Sequence, residues 1–544
     1  MRHIAVPWGV GLGFFLVAAL ESHGQAAPLP PKDYTVEETL LGDTDGAIVQ
    51  SAATSTQGGC HIAYVAKRDD KFSVVVDGQA GPRYDGIGLG TPVLSPDGKH
   101  VAYVAREGAK WFVLWDGRPG PEYDGIVKDT PFFSLDGKRL AYMAKKGDKF
   151  VAVVDGQAGP ESEHIKLLAF TSDSKHAGYV ARRGPKRVVV VDGQAGPEYD
   201  GIGALLFSPD DKRNAYAAAK GGKWLAVVDG KAGPEYDGLS TFTFSPDGQR
   251  FAHIATQGGK MLVVADGRPG PMCDGIGFIF FSPDAKRLAY AAKNGDKWAM
   301  VLDGQPGPEY DGIENALPVF SPDSKRTVYA ASKGSKCFVI VDGKAGPEYD
   351  GVGGGFFFSP DSKHLAYTAT RGAKALMVLD GEAGTECDGI LCFGFSPDGR
   401  RLAFAAKRGD KFSMFVDGRA GPEYDGFGAF FFSPDGKRAA YVVRKGAKWL
   451  VVVDGVAGPE FDAIGKGAPV FTSDGRSVAY DGRKGGKWLV VVDGQAGPEY
   501  EKVFTPLSFL GGGALEYLAI KGGPLYRVRH IPRDSPASGT APAR

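Results

Sequence analysis

TPFFSLDGKRLAYMAKKGDKFVAVVDGQAGPESEHI, residues 130–165, is one complete unit of a pattern that the chain repeats. Pro131-Phe132-Phe133 reads as a short apolar strand, A. Ser134-Leu135-Asp136-Gly137 reads as a turn. Most copies have Ser-Pro-Asp-Gly there, as at Ser245 to Gly248. Proline presets φ at the second turn position, and aspartate bonds neighbouring backbone. Leu140 to Ala144 reads as strand B, Lys145 to Lys149 as a hairpin loop, and Phe150 to Val154 as strand C. Asp155-Gly156 turns the chain into a last strand, D, starting near Pro160. Strands B and C are apolar on both faces, as in a sheet covered on both sides. The aromatic of strand B recurs at Tyr64, Tyr103, Tyr142, Tyr179, Tyr216, His253, Tyr290, Tyr329, Tyr367, Phe404, Tyr441, Tyr480 and Tyr517, with gaps of 37 to 39 residues. Four antiparallel strands in under forty residues, repeated, predict an all-β chain of β-propeller blades.

Phe-Ser-Pro-Asp-Gly followed by an apolar strand, at Phe244 to Phe251 and Phe395 to Leu402, resembles the WD-like propeller repeat of the TolB family of periplasmic proteins. The resemblance implies a propeller over roughly residues 47–530. It does not carry a role in the Tol system. This chain adds a Val-Asp-Gly-x-Ala-Gly-Pro-Glu-Tyr-Asp-Gly stretch, as at Val453 to Asp462 with small changes. It also has no separate N-terminal α/β domain of the TolB kind. About twelve full copies and a truncated one exceed the usual size of a propeller, so two tandem rings of about six and seven blades are expected. A single large ring or an open solenoid is the alternative. The truncated copy, near Pro506 to Arg529, lacks strand D. Tyr34 to Leu41 reads as an extra strand able to close the assembly and leave no free edge.

Residues 1–26 read as a signal peptide: basic Arg2 and His3, an uncharged apolar run from Ile4 to Leu20, then small Gly24 and Ala26. A retained anchor is the alternative. Residues 27–46 form the N-terminal segment with the closing strand, 47–530 the blades, and 531–544 a disordered C-terminal tail. A periplasmic or secreted protein is expected, with no membrane span once the signal is removed. The 64 Lys and Arg balance 64 Asp and Glu, and no nucleic-acid partner is expected. Of five cysteines, Cys387 and Cys392 are close enough to pair.

Lysine ends the B–C hairpin in every full copy: Lys71, Lys110, Lys149, Lys186, Lys223, Lys260, Lys297, Lys336, Lys374, Lys411, Lys448 and Lys487. Arg182, Arg183, Lys186 and Arg187 are the densest cluster. With Lys223, Lys448 and Lys487 they are the candidate binding residues, forming a basic face for an anionic partner; plain solubilising hairpins are the other reading. Aromatics follow several of these lysines, as at Trp111, Trp224 and Trp449, and suit either sugar contacts or packing between blades. Length varies only in the connection from strand D to strand A, with longer versions at Gly88 to Pro92, Val127 to Pro131, Glu314 to Pro318 and Gly465 to Pro469.

Catalysis finds no support. There is no nucleophile elbow. His61, His100, His176 and His364 fill a slot that is Arg in other copies and read as surface substitutions. His164 with Glu161 and Glu163 is the one cluster to check for a metal. Asp43-Thr44-Asp45-Gly46 lacks the closing Glu of a calcium loop. The expectation is a non-enzymatic scaffold for a protein partner, without cofactor or metal. A glycan- or anionic envelope polymer-binding protein is the rival, and an enzyme with a site in the central channel comes third.

Overall fold

A computed structural model describes residues 34–42, 48–55, 61–313, 318–466 and 469–533. It contains thirteen small antiparallel sheets, numbered here as blades 1 to 13 by the strand B aromatics above. Blade 5 is typical: strand A Gly201–Phe207, B Asn214–Lys220, C Lys223–Val228 and D Lys231–Tyr236, in that order across the sheet. Each Ser-Pro-Asp-Gly turn is pinned by its own side chains. Ser245 Oγ donates to Asp247 Oδ1 (2.5 Å) and accepts from the Arg250 N–H (2.9 Å). Each Asp-Gly turn between C and D has both residues left-handed, as at Asp229 (φ 50) and Gly230 (φ 74), the backbone that joins twisted strands over two residues.

Strands B and C bury both faces, so each blade depends on its neighbours. Every consecutive pair shares an apolar core. Blades 6 and 7 do so through Ile254, Val263, Ile279 and Tyr290. Blade 13 packs on blade 1 through Leu41, Ile62, Tyr64, Leu518 and Leu525. The sheets therefore make one ring. Two tandem rings would place blades 1 and 13 in separate rings, and that seam would then be absent. Strands A are innermost, where rings of adjacent blades meet, as Phe357 and Phe393 do at 4.8 Å. Strands D form the exposed rim.

The thirteenth copy contributes three strands, Lys502–Phe509, Leu515–Ile520 and Leu525–Pro532. Its fourth is Tyr34–Gly42, which pairs antiparallel with Leu525–Pro532, Tyr34 opposite Pro532. This closing strand is also tied to blade 12. Tyr34 donates to Asp493 Oδ2 (2.8 Å), and Tyr500 donates to Glu38 Oε1 (2.8 Å). Arg527 reaches Asp77 of blade 1 at 3.2 Å.

Cys387 and Cys392 are both free thiols, since Cys387 is buried facing blade 10 while Cys392 lies in strand A of that blade. The signal segment, the tail beyond Arg533, Asp43 to Gly46 and Cys60 lie outside the described residues. Among the described residues no helix is long and apolar enough to cross a membrane.

Deleting Tyr34–Gly42 exposes the edge of Leu525–Pro532 and removes both ties to blade 12. The expected outcome is a shift to large species in light scattering at neutral pH. A monodisperse protein of unchanged melting temperature would show that closure does not depend on this strand.

Candidate functional site

The hairpin lysines belong to strand C rather than to a loop. Lys223 pairs in the ladder with Lys220, and only Gly221-Gly222 turns the chain. Two left-handed glycines (φ 57 and 82) suffice for the reversal, so the strands run on to the tip. Each lysine meets the carboxylate fourteen residues later, at the end of strand D. Lys186 pairs with Asp200 (2.6 Å), Lys223 with Asp237 (2.5 Å), Lys448 with Asp462 (2.5 Å) and Lys487 with Glu501 (3.6 Å). The other eight full copies have the same pair.

The carboxylate does more than neutralise its lysine. Asp237 Oδ2 accepts from the Gly258 N–H (2.7 Å) at the hairpin tip of the next blade. Asp200 accepts from Gly221 (2.9 Å) and Asp462 from Gly485 (2.9 Å) in the same way. The Lys223 ammonium, then the Gly258 N–H, hold the Asp237 carboxyl below its usual range. The lysine of one blade thus braces an aspartate that clasps the next blade. The signal was in the sequence as the fixed Lys-to-Asp spacing, which neither reading of the lysines used.

Of the densest cluster, Arg182 lies 3.3 Å from Glu163 and bonds the Gly184 carbonyl. Arg183 and Arg187 have no ion pair among the described residues. The hairpin aromatics are partly buried in the seams, Trp111 between blades 2 and 3 and Trp298 between blades 7 and 8. Strand B cations lie over some of them, as Arg106 does over Trp111 at 5.7 Å.

A second clasp lies on the opposite face. Arg213 donates to Asp229 (2.8 Å) and, across the seam, to the Gln249 carbonyl (2.6 Å), with its guanidinium 5.5 Å from the Phe244 ring of blade 6. His61, His100, His176 and His364 fill this arginine's slot. They keep the aspartate contact at 2.5 to 2.7 Å, so they are turn-locking residues, not idle surface substitutions. Near His164, Glu161 pairs with Lys146 (2.9 Å), and Glu163 lies 3.8 Å from Lys149.

A third contact uses the stretch that sets this repeat apart. The strand D tyrosine of one blade meets the strand B tyrosine of the next edge-on, Tyr199 with Tyr216 at 6.2 Å and Tyr349 with Tyr367 at 6.3 Å. The glycine of Ala-Gly-Pro makes room for the second ring. A Cβ at Gly458 would lie 2.7 Å from the Tyr480 hydroxyl oxygen.

With these clasps alike from blade to blade, variation falls on strand A. In blade 5 the ladder to strand B slips between Ile202 and Leu205. In blade 2 the same place holds residues 88–92, between Gly86–Ile87 and Val93–Leu94. Residues 127–131 interrupt blade 3 likewise. The length change is therefore a bulge within the innermost strand, and not a D–A loop. Residues 314–317 and 467–468, in the other two long versions, lie outside the described residues. Leu89, Leu167, Phe278, Phe357 and Leu391 are exposed on these inner strands, each by 44 % or more. Leu167 is left-handed (φ 58), a costly conformation for a non-glycine residue.

Asp481 escaped the sequence reading. It stands in strand B of blade 12, where other copies have Ala, Val, Ile, Leu, Met or Thr, and is 1 % exposed. Its Oδ1 has no hydrogen-bond partner, and its carboxylate presses on Gly465 at the strand A bulge. Burial raises its pKa to about 6. His253 and His530 are buried too, which lowers each to about 4.

No family model matches the chain, so the TolB-type resemblance has no family match behind it. No curated protein matches it either. Solved structures do. One titled as a eukaryotic initiation factor is 15 % identical over 60 % of this chain and 96 % of its own, with a TM-score of 0.32. The Dos1 propeller is 12 % identical over 57 % of this chain and 94 % of its own, with a TM-score of 0.23. The fold assignment stands on the sheets themselves.

Three outcomes are expected. Asp237→Ala lowers the melting temperature more than Lys223→Ala, because the aspartate also holds Gly258; equal effects would reduce the clasp to a surface ion pair. Gly458→Ala costs about 1–3 kcal/mol in denaturant unfolding through overpacking against Tyr480; a neutral effect would mean that the seam yields. Asp481→Val, the residue of blades 1, 2, 4 and 11 at that slot, stabilises by up to roughly 3 kcal/mol above pH 6. Because the folded pKa lies above the unfolded one, the wild type loses stability as pH rises from 3.8 through about 6. The gain should vanish below pH 4. For His253 and His530 the sign reverses, and stability falls as pH drops from 6.5 through about 4. Melting curves across pH check both.

Proposed function

We propose that the protein is an exported, non-enzymatic β-propeller scaffold that takes a protein partner at the central opening. The observation that carries this reading is the division of the blade. All twelve full copies repeat the lysine–carboxylate clasp on the next blade's hairpin, while length and side chain vary on the innermost strands, where apolar residues stand exposed. Surfaces of that kind mark interaction sites. The apolar run from Ile4 to Leu20 supports export, and N-terminal sequencing of secreted material should begin near Ala27.

The test replaces the bulges at 88–92 and 127–131 with the short form of blade 5. The variant should keep its melting temperature and lose the partner that the wild type captures from an envelope extract. Unchanged capture would move the binding surface elsewhere on the ring.

A second reading, binding of an anionic envelope polymer, rests on the hairpin cations that the clasps leave over, among them the adjacent Arg183 and Arg187. On an immobilised polyanion across a salt gradient, Arg183→Glu with Arg187→Glu should elute at lower salt than wild type. Equal elution removes this reading and leaves the first.

A further inference from the structure

The space between blades 2 and 3 holds a residue that no other full copy carries at its position. A cleft of about 470 Å3 lies there, on the face of the C–D turns, lined among others by Trp115, Arg118, Gly120, Leu140 and Tyr142. Trp115 ends strand C of blade 2, at the position just before Asp-Gly. The other full copies have an aliphatic residue there: Val in most, such as Val76, Val154 and Val228, with Ala265, Leu302 and Leu379 as exceptions. The indole is held edge-on by His100 (6.1 Å) and, across the seam, by Phe133 of blade 3 (6.0 Å).

Arg118 lies directly opposite Trp115 in the ladder, across the Asp116-Gly117 turn. Paired residues share a sheet face, and blade 3 covers this one. Arg118 is exposed and has no ion pair among the described residues. The carboxylates beside it are committed. Asp116 takes His100 (2.6 Å) and the Val101 N–H (2.9 Å), and Asp155 takes Arg139 (2.8 Å) and the Leu140 N–H (3.0 Å). At the inner wall the buried Tyr142 ring, next to Gly120, meets Tyr123 of blade 2 edge-on at 6.3 Å.

We propose that this cleft binds a hexuronate unit of an acidic polysaccharide. The C–H face of a pyranose packs on an indole, whose ring face carries partial negative charge. A carboxylate matches the planar fork of Arg118 and takes two charge-assisted hydrogen bonds. The cleft is distinct from the central opening. It is distinct also from Arg183 and Arg187, which belong to the B–C face.

The experiment titrates the full chain with trigalacturonate, by calorimetry and tryptophan fluorescence, with galactotriose as the neutral control. Saturable binding of the acidic trimer with a fluorescence change is expected. Trp115→Val should abolish both signals. Arg118→Gln should weaken binding by at least about tenfold, the size of a lost charge-assisted contact. Both variants restore residues that other blades carry, such as Val76 and Gln79, so wild-type melting curves are expected of each. No saturable binding, or undiminished binding by Trp115→Val, overturns the site. Equal affinity for galactotriose overturns the role given to Arg118 and with it the acidic ligand.

Discussion

Strands B and C are apolar on both faces, so a single blade cannot stand alone and is held by the blades beside it. The rest of the architecture follows from that. Where a strand D tyrosine meets the strand B tyrosine of the next blade edge-on, as Tyr199 meets Tyr216, the pair fills the seam, and at Gly159 and Gly458 a side chain in place of the glycine would collide with the next blade's tyrosine. Proline and glutamate in the Ala-Gly-Pro-Glu stretch blunt the outer strand against pairing with another chain.

Electrostatics then locks what packing positions. A lysine, an aspartate and a backbone N–H, drawn from two blades, form a closed unit on one face. An arginine, an aspartate and a carbonyl do so on the other. Net charge near zero is thus built up seam by seam from local pairs. The clasps take up the strand C lysines of the hairpins and leave strand B cations at the same tips, such as Lys220, Lys333 and Lys445, without an ion pair among the described residues. Exposed pairs contribute little singly, but here each carboxylate also satisfies a hairpin N–H, so its role is to join blades more than to attract a partner.

The seams are not equivalent. Ser162 stands where the strand D tyrosine should face Tyr179, and the Tyr179 hydroxyl is left without a partner. Between blades 9 and 10, Cys387 faces Phe404 and His364 replaces the bridging arginine. Between blades 12 and 13, Asp481 and His530 are both buried, yet Tyr34 and Glu38 bind across the same seam. The closing strand, which no peptide link joins to its neighbour Leu525–Pro532, is thereby also hydrogen-bonded to blade 12.

The repeat, its four strands, the turn types and the need for a closing strand were all readable in the residues, because they depend on local rules: alternation of apolar positions, left-handed Asp-Gly, and proline and aspartate in turns. The number of rings was not. Ring size depends on the small rotation between adjacent sheets, which is summed over every seam and leaves no mark at any one position. The partners of the hairpin lysines were hidden because the aspartate lies two strands away, and its second contact lies in another blade. The bulge on strand A read as a loop, since sequence length does not say on which side of a ladder slip an insertion falls. Trp115 and Arg118 carry no mark of a site in the sequence. Only the ladder across Asp116-Gly117 puts them on one face, and only the next blade closes the cleft around them.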